Sequence, residues 1–121
     1  MKKISYPIFF MLCIIFYACK KEKTSDNVKI LRTTISLNTD STYIDTIGFF
    51  GDEEGAGIIT PPHHAALSNL QRTTDVAIYF YKPMTAYIGK DSVEIGEYRG
   101  SDGATPSKLT VKHQLIFTIT N

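Results

Sequence analysis

From Val28 onward, Val, Ile, Thr, Tyr and Phe dominate, Gly, Pro, Asp and Asn punctuate them, apolar and polar residues alternate in places, and no stretch sustains a helical period. The closing segment shows this best. Leu109, Val111, Leu115, Phe117 and Ile119 fall on one face of an extended chain, and Thr110, Lys112, Gln114, Thr118 and Thr120 fall on the other. Residues 76–81 predict a second strand, stopped by Lys82-Pro83, and residues 92–98 a third. Residues 42–50 form a fourth, ended by Gly51-Asp52-Glu53-Glu54-Gly55, and residues 29–37 a fifth, ended by Asn38-Thr39-Asp40. Residues 57–60 are a short candidate before Pro61-Pro62, and residues 65–70 predict at most one helical turn. Strands of this size with turn signals between them predict one all-β domain over 28–121, a β-sandwich or small barrel of about six to seven strands.

The first 27 residues have a different texture. Lys2 and Lys3 precede an apolar run over 7–18, which ends in Ala18-Cys19 and then Lys20-Lys21-Glu22-Lys23. A short basic region, an apolar region and a small residue are the layout of a secretory signal. As a helix, residues 7–18 would reach about 18 Å, short for a hydrocarbon core of about 30 Å. Ala18-Cys19 at the end of this run resembles the lipobox of bacterial lipoproteins, with Phe16 and Tyr17 departing from the usual Leu and small residue. The resemblance implies cleavage before Cys19 and acylation of its thiol and amine, giving a signal peptide over 1–18. Two or three acyl chains anchor a protein stably. The plainer alternative is an ordinary signal peptide with a Cys near its cut site. Residues 20–27 carry no apolar side chain and read as a flexible tether, so 19–27 is the lipidated Cys with its linker. In the Gram-negative sorting rule, Lys rather than Asp after the Cys implies the outer membrane.

With 121 residues, 13 Lys+Arg against 12 Asp+Glu and 43% apolar side chains, the chain is one domain with enough material for a core. The near-neutral balance gives no footprint for nucleic acid. Its two Cys are Cys13, inside the signal, and Cys19, so a lipidated mature domain would hold no free thiol for disulfides, thiol catalysis or a Cys-based zinc site. No cofactor motif is recognised.

Ile59-Thr60-Pro61-Pro62-His63-His64-Ala65, then Tyr81-Lys82-Pro83-Met84-Thr85-Ala86-Tyr87-Ile88-Gly89-Lys90-Asp91-Ser92-Val93, then Ser101-Asp102-Gly103 and an alternating last strand run through the second half. This series resembles the cadherin-like, immunoglobulin-like repeat domains of bacterial surface proteins, with Ala65 standing for Gly and Val93 for Phe. The resemblance implies an immunoglobulin-like sandwich. On physical grounds Pro83 ends a strand, Gly89 permits an unusual turn, Tyr87 anchors the loop and Asp91 accepts backbone N–H bonds, a structural corner rather than an active site.

Other candidates carry less chemistry. His63 and His64 are adjacent, and neighbours on an extended chain point apart, so they read as loop histidines rather than as a metal pair; His113 lies on the apolar face of the last strand. Asp52-Glu53-Glu54 lacks the spacing of a calcium loop and reads as a solvated acidic turn. Tyr79 and Tyr81 share one side of their strand, opposite Val76, Ile78 and Phe80; if Ile78 and Phe80 turn inward, the two tyrosines form a ligand face, and otherwise they pack in the core. Asp40-Ser41-Thr42, Asp45-Thr46-Ile47 and Asp91-Ser92-Val93 each resemble the O-glycosylation triplet of Bacteroidetes envelope proteins. No nucleophile, base and orienter share a recognisable frame. The expectation is a non-enzymatic, lipid-anchored envelope protein that binds a protein or a glycan. The alternatives are a structural subunit of an envelope complex and, last, a small hydrolase.

Overall fold

The computed structural model describes residues 27–100 and 107–121; the signal segment, Cys19, the tether up to residue 26 and the Ser101-Asp102-Gly103 turn lie outside the described residues. Seven strands follow one another: β1 (Lys29–Asn38), β2 (Tyr43–Phe49), β3 (Gly55–Thr60), β4 (Ala65–Thr73), β5 (Val76–Pro83), β6 (Gly89–Arg99) and β7 (Lys108–Thr120). They form a four-stranded sheet ordered β1-β7-β6-β3 and a three-stranded sheet ordered β2-β5-β4. Lettered A to G, the sheets read A-G-F-C and B-E-D. This is the immunoglobulin-like arrangement with the first strand moved across the sandwich, where β1 pairs parallel with β7.

Two expectations are corrected. Residues 65–70 belong to β4, an edge strand paired with β5 from Ala65↔Pro83 to Thr73↔Val76, and form no helical turn. A short segment of helix formers has little helicity of its own, so the free edge of β5 decides its conformation. Leu109 leaves the inner face. Glu97 pairs with Val111 but Tyr98 pairs with Leu109, so Thr110 is an extra residue in β7. This bulge shifts the alternation, and Leu109, Ile59 and Tyr98 close over Gly96, where an added Cβ would meet Leu109 at 2.6 Å and Ile59 at 2.9 Å.

The core lies between the sheets: Ile47, Phe50, Ala77, Tyr79, Tyr81, Val93, Ile95, Leu115, Phe117 and Ile119 are buried. Phe117 joins the layers, stacked on the Tyr81 ring at 3.9 Å between centroids and meeting the Tyr43 ring edge-on at 5.4 Å. Such aromatic pairs add about 0.5–1.5 kcal/mol beyond the area they bury. Burial, with Asp45 beside it, pushes the Tyr43 phenol up to about 12.

The two outer faces differ. Across the four-stranded sheet, Arg32 donates to Gln114 Oε1 at 3.0 Å, Gln114 Nε2 to Glu94 Oε1 at 2.9 Å, and Thr60 Oγ1 to Glu94 Oε2 at 3.1 Å. This polar row spans all four strands in register, and the Gln114 bond, helped by Thr60 and Lys112, lowers the Glu94 carboxyl pKa. The outer face of the three-stranded sheet carries Val76, Ile78 and Phe80, flanked by Ile44 (58% exposed), Phe49 (66%) and Leu67 (40%).

Candidate functional site

At the end of the sandwich where β1 leads to β2, β3 to β4 and β5 to β6, Pro83, Tyr87, Gly89 and Asp91 come together around the loop carrying His63 and His64. Asp91, the third residue of β6, is buried and uses all its acceptor capacity. Oδ1 accepts from the backbone N–H groups of His63 and Ser92, and Oδ2 from the His64 N–H and the Tyr81 hydroxyl, each at 2.9 Å. Burial alone would raise this carboxyl, but the four bonds outweigh it and hold Asp91 below its ordinary value. The β3–β4 loop is therefore fastened to β6 through its backbone, whatever its side chains do.

The β5–β6 connection is fastened to the same loop. Met84 N–H donates to His64 O at 2.8 Å and Tyr87 N–H to Met84 O at 3.1 Å. The Tyr87 ring stacks on His64 at 4.0 Å, and its hydroxyl donates to Lys90 O at 2.7 Å. Gly89 sits at φ +141°, where a Cβ would also meet the Tyr87 hydroxyl at 3.0 Å, so glycine is required on both counts. Pro83 is buried and closes β5.

Beside this corner, a cavity of about 380 Å³ is lined by His63, His64, Lys90, Asp91, Ser92 and Ile116. Lys90 and Ser92 are exposed, and Asp91 turns its carboxylate to the internal donors. Among the described residues, no three His, Cys, Asp or Glu side chains gather as a metal ion would need.

No family model matches the chain, and no curated protein matches it. Among solved structures, it is similar to the crystal structure of a cysteine protease inhibitor from Entamoeba histolytica, with a TM-score of 0.46 and 10% identity, over 74% of this chain and 94% of that one.

The tyrosine ligand face is corrected. Tyr79 and Tyr81 are fully buried, while Ile78 and Phe80 take the outer side of β5. Each buried phenol finds a partner, Tyr79 with the Ser68 hydroxyl at 2.8 Å and Tyr81 with Asp91. An inward tyrosine therefore leaves no polar atom unpaired, and burial raises the pKa of both.

The opposite end holds a charged cluster that the sequence reading did not assemble. Glu97 Oε1 lies 2.6 Å from His113 Nε2, and Glu97 Oε2 lies 3.0 Å from Arg99. Arg99 also reaches Glu54 at 3.1 Å and Phe49 O at 2.9 Å, and its guanidinium stands 4.7 Å over the Phe50 ring. Of the acidic turn, Asp52 and Glu53 are exposed and Glu54 is bound into this cluster: Gly51 N–H and Arg99 bond Glu54 and lower its pKa, while Arg72 donates to the Glu54 and Gly51 carbonyls. The available signal was His113 and Glu97 at apolar-face positions of adjacent strands, in line with Leu115 and Ile95.

Proposed function

We propose that this chain is a non-enzymatic, lipid-anchored protein of a bacterial cell envelope, held at the outer membrane through Cys19, with its sandwich acting as an adhesion or interaction module for a protein or a glycan. One observation carries the reading: the chain enters the domain at one end, and the fastened corner with its cavity lies at the other. Asn27 precedes β1, whose ten residues lead to the corner end, about 30 Å away at strand rise. A lipid on Cys19 would attach at the entry end and leave the corner end free of the anchor. The corner's loops are held by buried hydrogen bonds, and a preformed surface loses little entropy on binding.

The expected outcome for Cys19→Ala is a protein that leaves the membrane fraction and lacks acyl mass; unchanged retention and mass would refute the anchor. Protease shaving of intact cells, with a periplasmic marker as control, tests the outward role. Cleavage of the domain with survival of the marker supports adhesion, and protection of both removes it.

A second reading, a structural subunit of an envelope complex, is favoured by the apolar outer face of β2, β5 and β4. A central strand of a half-solvated antiparallel sheet normally alternates, whereas β5 is apolar on both sides from Val76 to Tyr81. Crosslinking in intact cells through position 46 or 71 of this face separates the readings: one defined envelope partner supports the second.

A further inference from the structure

The cavity between the β3–β4 loop and the outer face of β6 and β7 has a chemical character of its own. At about 380 Å³, it lies near the small end of the range for ligand sites and suits one ring-sized group. Its base is Ile116, the cross-strand partner of Ser92, and Lys90 and Ser92 stand two residues apart on the outer face of β6. His63 and His64 supply the loop side.

The polar groups are asymmetric. Asp91, the one acid in the lining, has both oxygens engaged by internal donors and none left for a ligand. Glu94, the next acid on this face, is engaged by Gln114, Thr60 and Lys112. Lys90 forms no ion pair among the described residues, and an ammonium only donates. The cavity thus offers an apolar base, a hydroxyl, imidazole groups and one uncommitted cation. That set fits a ligand with an apolar ring face, hydroxyls and an anionic acceptor. A peptide ligand would instead call for a run of pockets or a strand edge, and this is an open recess over the central strands β6 and β7.

We infer that this cavity binds one acidic pyranose residue of a glycan, with Lys90 meeting the carboxylate, Ser92 bonding a ring hydroxyl and Ile116 lying under the ring. The inference rests on the interaction-module reading and names the ligand class of the same corner. Lys90 and Ser92 are exposed and make no core contact, so substitutions there leave the fold intact.

The test is saturation-transfer NMR on the full chain in detergent with glucuronate, galacturonate and N-acetylneuraminate, beside glucose and galactose. At least one acidic sugar is expected to bind at least tenfold more tightly than its neutral counterpart. Lys90→Glu is expected to weaken that binding at least tenfold, and Ser92→Ala severalfold, with unchanged thermal unfolding. Equal binding of neutral sugars, insensitivity to Lys90→Glu, no binding of any acidic sugar, or binding of carboxylate peptides alone would each overturn the inference. So would a glycan mass on Ser92 in native protein, since the chain's own sugar would then occupy the recess. Protease shaving reads out separately: a domain cleaved on intact cells but blind to sugars loses this ligand and keeps the surface role.

Discussion

Asp91 and Glu97 are both carried by β6, both turned into the sandwich, and 5% and 7% exposed. They are held by different means. Asp91, at the loop corner, is surrounded by neutral donors: three backbone N–H groups and a phenol. Glu97, at the end where the chain enters, is held by Arg99 and His113 side chains. A carboxylate in an apolar core is expensive unless its lone pairs are filled, and both solutions fill them. The difference lies in what is fastened. The Asp91 bonds end on the backbone of a loop, so they fix chain geometry. The Glu97 bonds end on side chains whose far ends reach water, since the Arg99 side chain is 36% exposed. The first end is a platform fastened through backbone, and the second is a plug of paired side chains.

The largest expected effect is at the first end. Asp91→Ala removes four bonds and leaves two loop amides and a buried phenol without partners. Bonds to a charged group contribute about 1.5–3 kcal/mol each and are not additive, so a loss of about 3–5 kcal/mol is expected by denaturant unfolding. A loss under about 1 kcal/mol would break the comparison. Asp91→Asn sharpens it through pH. The folded-state pKa of Asp91 lies below its unfolded value of about 3.9. The carboxylate's contribution is therefore complete above that value and is lost as pH falls through the folded pKa. Wild type is expected to shed stability in acid below about pH 4, and Asp91→Asn to lack that component of the slope.

Glu97→Gln is expected to cost less, about 1–2 kcal/mol, because a neutral amide still accepts from His113 and the partly exposed Arg99 keeps its bond to Glu54 and reaches water. A double-mutant cycle with Arg99→Met should return a coupling of about 1 kcal/mol that shrinks in high salt. A salt-insensitive coupling larger than the Asp91 effect would invert the ranking of the two ends.

How far the sequence foretold these ends follows from what each depends on. Alternation or a run of strand-forming residues with a clear terminator exposed six of the seven strands. Residues 65–73 were obscure because an edge strand takes its conformation from β5 rather than from its own composition. Tyr79 and Tyr81 were undecidable because β5 is apolar on both sides, and the choice is made by Ser68 and Asp91 from other strands. The corner was more legible, because Pro83, Tyr87, Gly89 and Asp91 lie within nine consecutive residues, although the loop that Asp91 and Tyr87 fasten, at His63 and His64, is distant in sequence. The Glu97 cluster draws on β2, the β2–β3 loop, β4, β6 and β7, and such convergence leaves no local spacing to read. Glu97 and His113 were nevertheless readable as two polar residues on apolar faces, and the register sets them diagonally, His113 opposite Ile95 and Glu97 opposite Val111.

The smallest effect tests whether the platform is as rigid as its bonding implies. Tyr87→Phe keeps the ring stacked on His64 and removes only the hydroxyl that donates to Lys90 O. The Lys90 carbonyl would then turn to water, so the expected loss is about 0.5–1 kcal/mol. Amide hydrogen exchange gives the sharper reading. If the corner is one fastened unit, the His63 and His64 amides keep their protection in Tyr87→Phe, because Asp91 still holds them, and lose it in Asp91→Ala. If Tyr87→Phe exposes those amides as much as Asp91→Ala does, the loop depends on the Tyr87 hydroxyl's bond to Lys90 O and not on the carboxylate. The contrast between the two ends of β6 would then be one of position alone.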